Sequence, residues 1–135
     1  MPGYSGTPLA RKLGIKDGHR VRLSNAPANY LDLVAPLPGG VTISNRLRSD
    51  IDIWHFFTSS KAELKTKLPT LMKSVFPDGV IWVSWPKKSS GVASTVTEDT
   101  IREIALPIGL VDIKVCAVDD TWSGLKLVVR KELRK

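Results

Sequence analysis

Two lysines and two aspartates stand beside tryptophans in this chain. Lys87 and Lys88 follow Trp85-Pro86, and Asp119 and Asp120 come shortly before Trp122. A lysine doublet can hold an anion as a pair of point charges. Ser59 and Ser60 precede a helical pattern, and the amides that open a helix favour a negative group. Asn25 adds a side-chain amide. The ligand this set would take is an anionic small molecule. The competing reading is that Lys87 and Lys88 pair with Asp119 and Asp120 and tie two loops together. Surface pairs of that kind contribute about 0–1 kcal/mol each. Trp85 and Trp122 would pack, stack on a ligand or meet a protein partner.

Other chemistry is thinly represented. His19 and His55 are the only histidines, and with the single Cys116 they make no recognisable metal cluster. His55 lies in an apolar stretch and reads as a satisfied structural group rather than a base. Cys116, between Val115 and Ala117, reads as buried and inert. No G-x-S-x-G elbow, G-x-G-x-x-G fingerprint or P-loop occurs. Asp119 and Asp120 are adjacent, so in an extended chain they point opposite ways and make no acid–base pair. These motifs give no expectation of a catalytic residue, a cofactor or a metal.

The elements that must position these residues follow from the apolar pattern. Thr7 and Pro8 open a short helix that Gly14 closes. Residues 20–24 form a strand, with Val21 and Leu23 on one face. Pro27 starts a helix carrying Tyr30, Leu31, Leu33 and Val34. Residues 41–43 and 51–57 are strands. A helix over 61–76 aligns Leu64, Leu68, Leu71, Met72, Val75 and Phe76. Pro69 should kink or split it. The turn Pro77-Asp78-Gly79 leads to Val80-Ile81-Trp82-Val83, which has no polar alternation and so predicts a strand covered on both faces. Thr97 caps the next helix, which Pro107 and Gly109 end. Strands 113–118 and 125–130 flank a loop over 119–124 and should pair antiparallel.

Alternating strands and helices predict an α/β fold: a three-layer, doubly wound, mostly parallel sheet with a C-terminal antiparallel hairpin at or near an edge. Ligands of such sheets sit beyond the carboxyl ends of the strands. That rim would gather the loops 24–27, 44–48, 58–60, 85–91 and 119–124.

The chain has 135 residues, which fits one domain spanning 1–135. One cysteine excludes an intramolecular disulfide and suits a reducing cytoplasm. Residues 1–6 lack the charged and apolar regions of a signal peptide. No apolar run approaches the ~20 residues needed to span a bilayer. The net charge is +7. Basic residues crowd one early stretch, Arg11, Lys12, Lys16, Arg20 and Arg22, and one late stretch, Lys126, Arg130, Lys131, Arg134 and Lys135. This favours anionic partners: nucleotides, nucleic acids or acidic proteins. An ordinary lysine-rich surface outweighs a nucleic-acid footprint, since no stacking motif accompanies the charge.

Residues 51–130, with their helix, PDG turn, apolar strand, helix and strand pair, resemble the second half of a class I methyltransferase fold. Almost the whole chain also resembles a small bacterial family known only as a domain of unknown function. The segments WPKKSSG and GLVDIKVCAVDDTWSGLKLVVRKE carry that likeness. The methyltransferase resemblance implies a glycine-rich turn after the first strand and an acid after the second, for S-adenosylmethionine. Here those places hold Ser24-Asn25-Ala26-Pro27 and Ser44-Asn45-Arg46. The expectation is a reduced methyltransferase-like domain acting as a non-catalytic binding or interaction module. The alternatives are an atypical transferase or hydrolase acting on an anionic substrate, and a nucleic-acid-binding protein using its basic termini.

Overall fold

Period-two and period-3.6 patterns build one sheet with helices on both faces. The computed structural model describes residues 8–134. Residues 1–6, read for a signal peptide, and Thr7, read as a cap, lie outside the described residues. The strands are β1 (Arg20–Ser24), β2 (Thr42–Ser44), β3 (Ile51–Phe57), β4 (Val75–Pro86), β5 (Leu110–Ala117) and β6 (Trp122–Val129). The helices are α1 (Leu9–Leu13), α2 (Tyr30–Val34), α3 (Lys61–Ser74) and α4 (Glu98–Ile108). The sheet order is β2-β1-β3-β4-β6-β5. The first four strands are parallel, and β6 is antiparallel to both of its neighbours. The fold is therefore the three-layer, mostly parallel α/β arrangement that the sequence pattern predicts.

Alternation along the central strands divides the core. Trp54, Phe56, Ile81, Val83, Trp85, Leu125 and Leu127 pack with Leu64, Leu68 and Leu71 of α3 and Ile101 of α4. Val21, Ile53, Phe57 and Trp82 pack with Ala10 and Leu13 of α1 and Tyr30 and Val34 of α2. The absence of polar alternation in Val80–Val83 thus corresponds to burial on both faces.

Several boundaries differ from the sequence expectation. Helix α3 runs unbroken through Pro69 and stops at Ser74. Val75 is already extended and pairs with Ile51, so Val75 and Phe76 belong to β4. Pairing then skips from Val75 to Val80, which makes Pro77-Asp78-Gly79 an excursion within the strand. A Cβ on Gly79 would lie 2.9 Å from the Phe76 carbonyl, so only glycine fits. Helix α4 runs past Pro107 to Ile108, and Gly109 closes it in the left-handed conformation. Strand β5 begins at Leu110, three residues early, because Asp112 is held by Arg102 of α4. That arginine also meets Glu98 and Asp99. Strand β6 begins at Trp122, which pairs with Pro86, so Trp122, Ser123 and Gly124 are strand rather than loop.

Candidate functional site

Strand order reverses beside β1. Its chain-order neighbour β2 lies on one side, and β3 lies on the other. The carboxyl ends of β1 and β3 therefore form the point where such sheets bind ligands. Asn25 takes a left-handed φ of 58° there, and its Nδ2 donates to the Phe57 carbonyl at 3.1 Å. The side chain laces the two strand ends together.

On the α3 side of those ends lies a cavity of about 310 Å³ lined by Arg22, Ser24, Asn25, Trp54, Glu63 and Lys67, among others. Alternation in β1 puts Arg22 opposite Val21, over the indole of Trp54, with its guanidinium carbon 4.6 Å from the ring centroid. Arg22 also donates to the Leu47 carbonyl. Burial, then the charge of Arg48, pulls its pKa below the ordinary value. Trp54 Nε1 donates to Ser24 Oγ at 2.8 Å. Glu63, one turn into α3, accepts from Thr58 Oγ1 at 2.6 Å. Lys67, the next turn along, is exposed at the mouth. The wall therefore offers two cations, an indole, a hydroxyl, an amide and one carboxylate, Glu63, which is engaged by Thr58. Neither Arg22, Trp54, Glu63 nor Lys67 was a sequence candidate. The alternation Arg20-Val21-Arg22-Leu23 is the signal that could have found the first of them.

The opposite face below the same strand ends is filled. Tyr30 OH meets His55 Nδ1 at 2.8 Å, and His55 Nε2 meets Ser84 Oγ at 2.7 Å. All three residues are buried. Phe57 stacks on His55 at 4.2 Å, and Trp122 meets Phe57 edge-on. Burial lowers the His55 pKa to about 3 and raises that of Tyr30. His55 is thus neutral at pH 7 and fully bonded, the structural role expected of it. Burial likewise raises the Cys116 thiol, although Lys114 and Lys12 pull the other way.

The remaining sequence candidates spread along the rim. Ser60 caps α3 by accepting from Glu63 N–H, while Lys61 N–H goes to Thr95 Oγ1. Two of the amides offered for an anion are therefore already bonded. The Ser59 carbonyl accepts from Thr95 N–H. The two tryptophan loops do adjoin, since Trp85 pairs with Ser123 and Pro86 with Trp122. Their indoles part, however. Trp85 packs against the α3 and α4 face, and Trp122 against the α1 and α2 face. Lys87 Nζ donates to the Asp119 carbonyl at 2.8 Å. The Asp119 carboxylate accepts from the Thr121 and Trp122 N–H groups. Lys87 thus ties one loop to the other while Asp119 folds its own loop, both through backbone bonds, with no described ion pair between lysine and aspartate. Lys88 and Asp120 are exposed. Lys87→Ala should lower stability by about 1.5 kcal/mol, the low end for a hydrogen bond from a charged group, since the side chain is partly exposed. Lys88→Ala should leave it unchanged, and paired thermal melts separate the two.

Among the described residues no three His, Cys, Asp or Glu side chains stand together as a metal site. No helix among them is long and apolar enough to cross a membrane.

Comparison with known proteins extends the picture. A family model described as "Protein of unknown function (DUF3052)" matches residues 48–131. No curated protein matches the sequence. Solved structures do match. A SAM-dependent O-methyltransferase from Thermotoga maritima aligns with a TM-score of 0.61 at 9% identity, over 91% of this chain and 64% of its own. A possible exported protein from Bordetella parapertussis gives 0.61 at 10%, over 90% and 66%. The magnesium protoporphyrin IX methyltransferase of Synechocystis gives 0.56 at 13%, over 91% and 74%. The chain spans just under two thirds of the Thermotoga and Bordetella proteins. At these identities the likeness is one of fold: a class I methyltransferase-like architecture.

Proposed function

The chain belongs to this family of unknown function and, proceeding from that, we propose that it is a non-catalytic binding module for a small anionic molecule. The ligand, a carboxylate- or phosphate-bearing compound, enters the cavity between β1, β3 and α3. The observation that carries this reading is the placement of Arg22, Lys67, Trp54, Ser24 and Asn25 around one cavity at the reversal point of the sheet. Arg22 is already oriented by Trp54 and the Leu47 carbonyl. Lys67 is exposed and supplies the second charge. The volume is at the small end for ligand sites.

S-adenosylmethionine does not fit these strand ends. A glycine turn would let a cofactor approach the β1 backbone, but Asn25 stands there with its amide across the Phe57 carbonyl. After β2 the chain offers Asn45 and Arg46, not a carboxylate for ribose hydroxyls. Tyr30, His55 and Phe57 occupy the other face of the same ends.

The test uses inorganic phosphate and succinate as probes, followed in amide and indole proton–nitrogen spectra. Shifts should concentrate at Ser24, Asn25 and the Trp54 indole, and vanish in Lys67→Ala, whose exposed side chain the fold does not need. Shifts spread evenly over the surface would sink the site. Calorimetric binding of S-adenosylmethionine in the micromolar range would sink the non-catalytic reading.

A further inference from the structure

One lysine from each basic stretch of the sequence, Lys16 and Lys126, comes together with Lys114 on the α1 face of the sheet. Lys114 of β5 donates from Nζ to the Lys12 carbonyl, in the last turn of α1, at 3.1 Å. Lys126 of β6 reaches the same turn: a Cβ added to Gly14 would lie 3.9 Å from its Nζ. Lys16 follows two residues after Gly14. Burial, then the charges of Lys114 and Lys16, lowers the Lys126 pKa, so the three ammonium groups repel one another.

Nearby carboxylates are engaged elsewhere. Asp17 accepts from Gly39 N–H, and Asp112 is bound by Arg102 of α4. Among the described ion pairs, none includes Lys16, Lys114 or Lys126. Lys16 and Lys114 are exposed and Lys126 is half-buried, so the charges crown an open face. That suits a long polyanion passing over the face better than a compact anion held in a cavity. The net charge of +7 would draw such a partner in from a distance.

We propose that Lys16, Lys114 and Lys126 contact the phosphodiester backbone of nucleic acid without regard to sequence. This site is independent of the cavity by Arg22 and Lys67. Lysines serve here as point charges, and each phosphate they neutralise releases counterions.

The test is a mobility shift of the full chain on duplexes of two unrelated sequences, from about 50 to about 200 mM salt. The triple variant Lys16→Gln, Lys114→Gln, Lys126→Gln should flatten the slope of log affinity against log salt by about 2.7 on both duplexes. Lys16→Gln alone removes no described side-chain bond and should flatten it by about 0.9. A control with the same charge change, Lys61→Gln, Lys65→Gln, Lys73→Gln on α3, should keep the original slope. The proposal falls if the parent chain shifts neither duplex. It falls equally if both triple variants behave alike, or if Lys16→Gln leaves the slope untouched. Capture on immobilised polyglutamate without any duplex shift would overturn it in favour of an acidic protein.

Discussion

Acidifying the protein from about pH 6.5 to about pH 4 should destabilise it by roughly 1.4 kcal/mol per pH unit through His55 alone. The ring sits between Tyr30 and Ser84 with no exposed surface. Burial drops its pKa to about 3, whereas the unfolded chain keeps the ordinary 6.5. Between those values the unfolded state binds a proton that the folded state refuses. The contribution is therefore complete above about pH 6.5 and drains away as the pH falls toward 3. Its ceiling is on the order of 4–5 kcal/mol, a large share of a typical domain's 5–15. Urea titrations at several pH values, run in parallel on the parent chain and on His55→Gln, isolate the effect. Carboxylates titrate alike in both and cancel. Parallel stability curves for the two proteins would show that the ring accepts its proton without loss of structure.

Trp82→Ala should lower stability by about 3–5 kcal/mol, the usual cost of truncating a large buried aromatic. The indole has no exposed surface and lies against Gly124, where an added Cβ would come within 3.1 Å of the ring. Its Nε1 donates to the Leu13 carbonyl at 2.9 Å, at the end of α1. The substitution thus opens a cavity and releases a short helix together. Trp82→Phe should fall between, since it fills most of the space but leaves the Leu13 carbonyl unpaired at about 1–3 kcal/mol. Urea unfolding followed by circular dichroism reads both variants. A loss under about 1 kcal/mol for Trp82→Ala would mean that the core collapses freely around the gap.

Much of the fold was legible because its strands are short apolar runs separated by turn residues. The double burial of β4 followed from Val80–Val83 having no polar alternation. Element ends were less legible. Val75 has the helical spacing of Leu68 and Leu71, yet its pairing with Ile51 decides that it is strand. Asp112 interrupts an apolar run, but Arg102 shelters it and the strand continues through. Of the rim loops, those bearing Trp85 and Trp122 do lie side by side. Side-chain direction was not readable, because it depends on register, and register put the two indoles on opposite faces. The cavity by Arg22 needed one further fact, that the face above β1 stays open beside α3, and that is a tertiary fact. His55 could be read as structural from its apolar neighbours. Its partners Tyr30 and Ser84, 25 and 29 residues away, could not.

The position of β6 has a bearing on how the molecule is made. Among the described residues β5 has no hydrogen-bonded neighbour except β6, and β6 slots between β5 and β4. Whenever residues 122–129 are out of place, β5 loses its described partner and the adjoining margin of β4 is bared with it. Both are sealed in one event, when residues 122–129 slide home. Until then two unsatisfied strand margins face solvent, and such margins are templates for pairing with another chain.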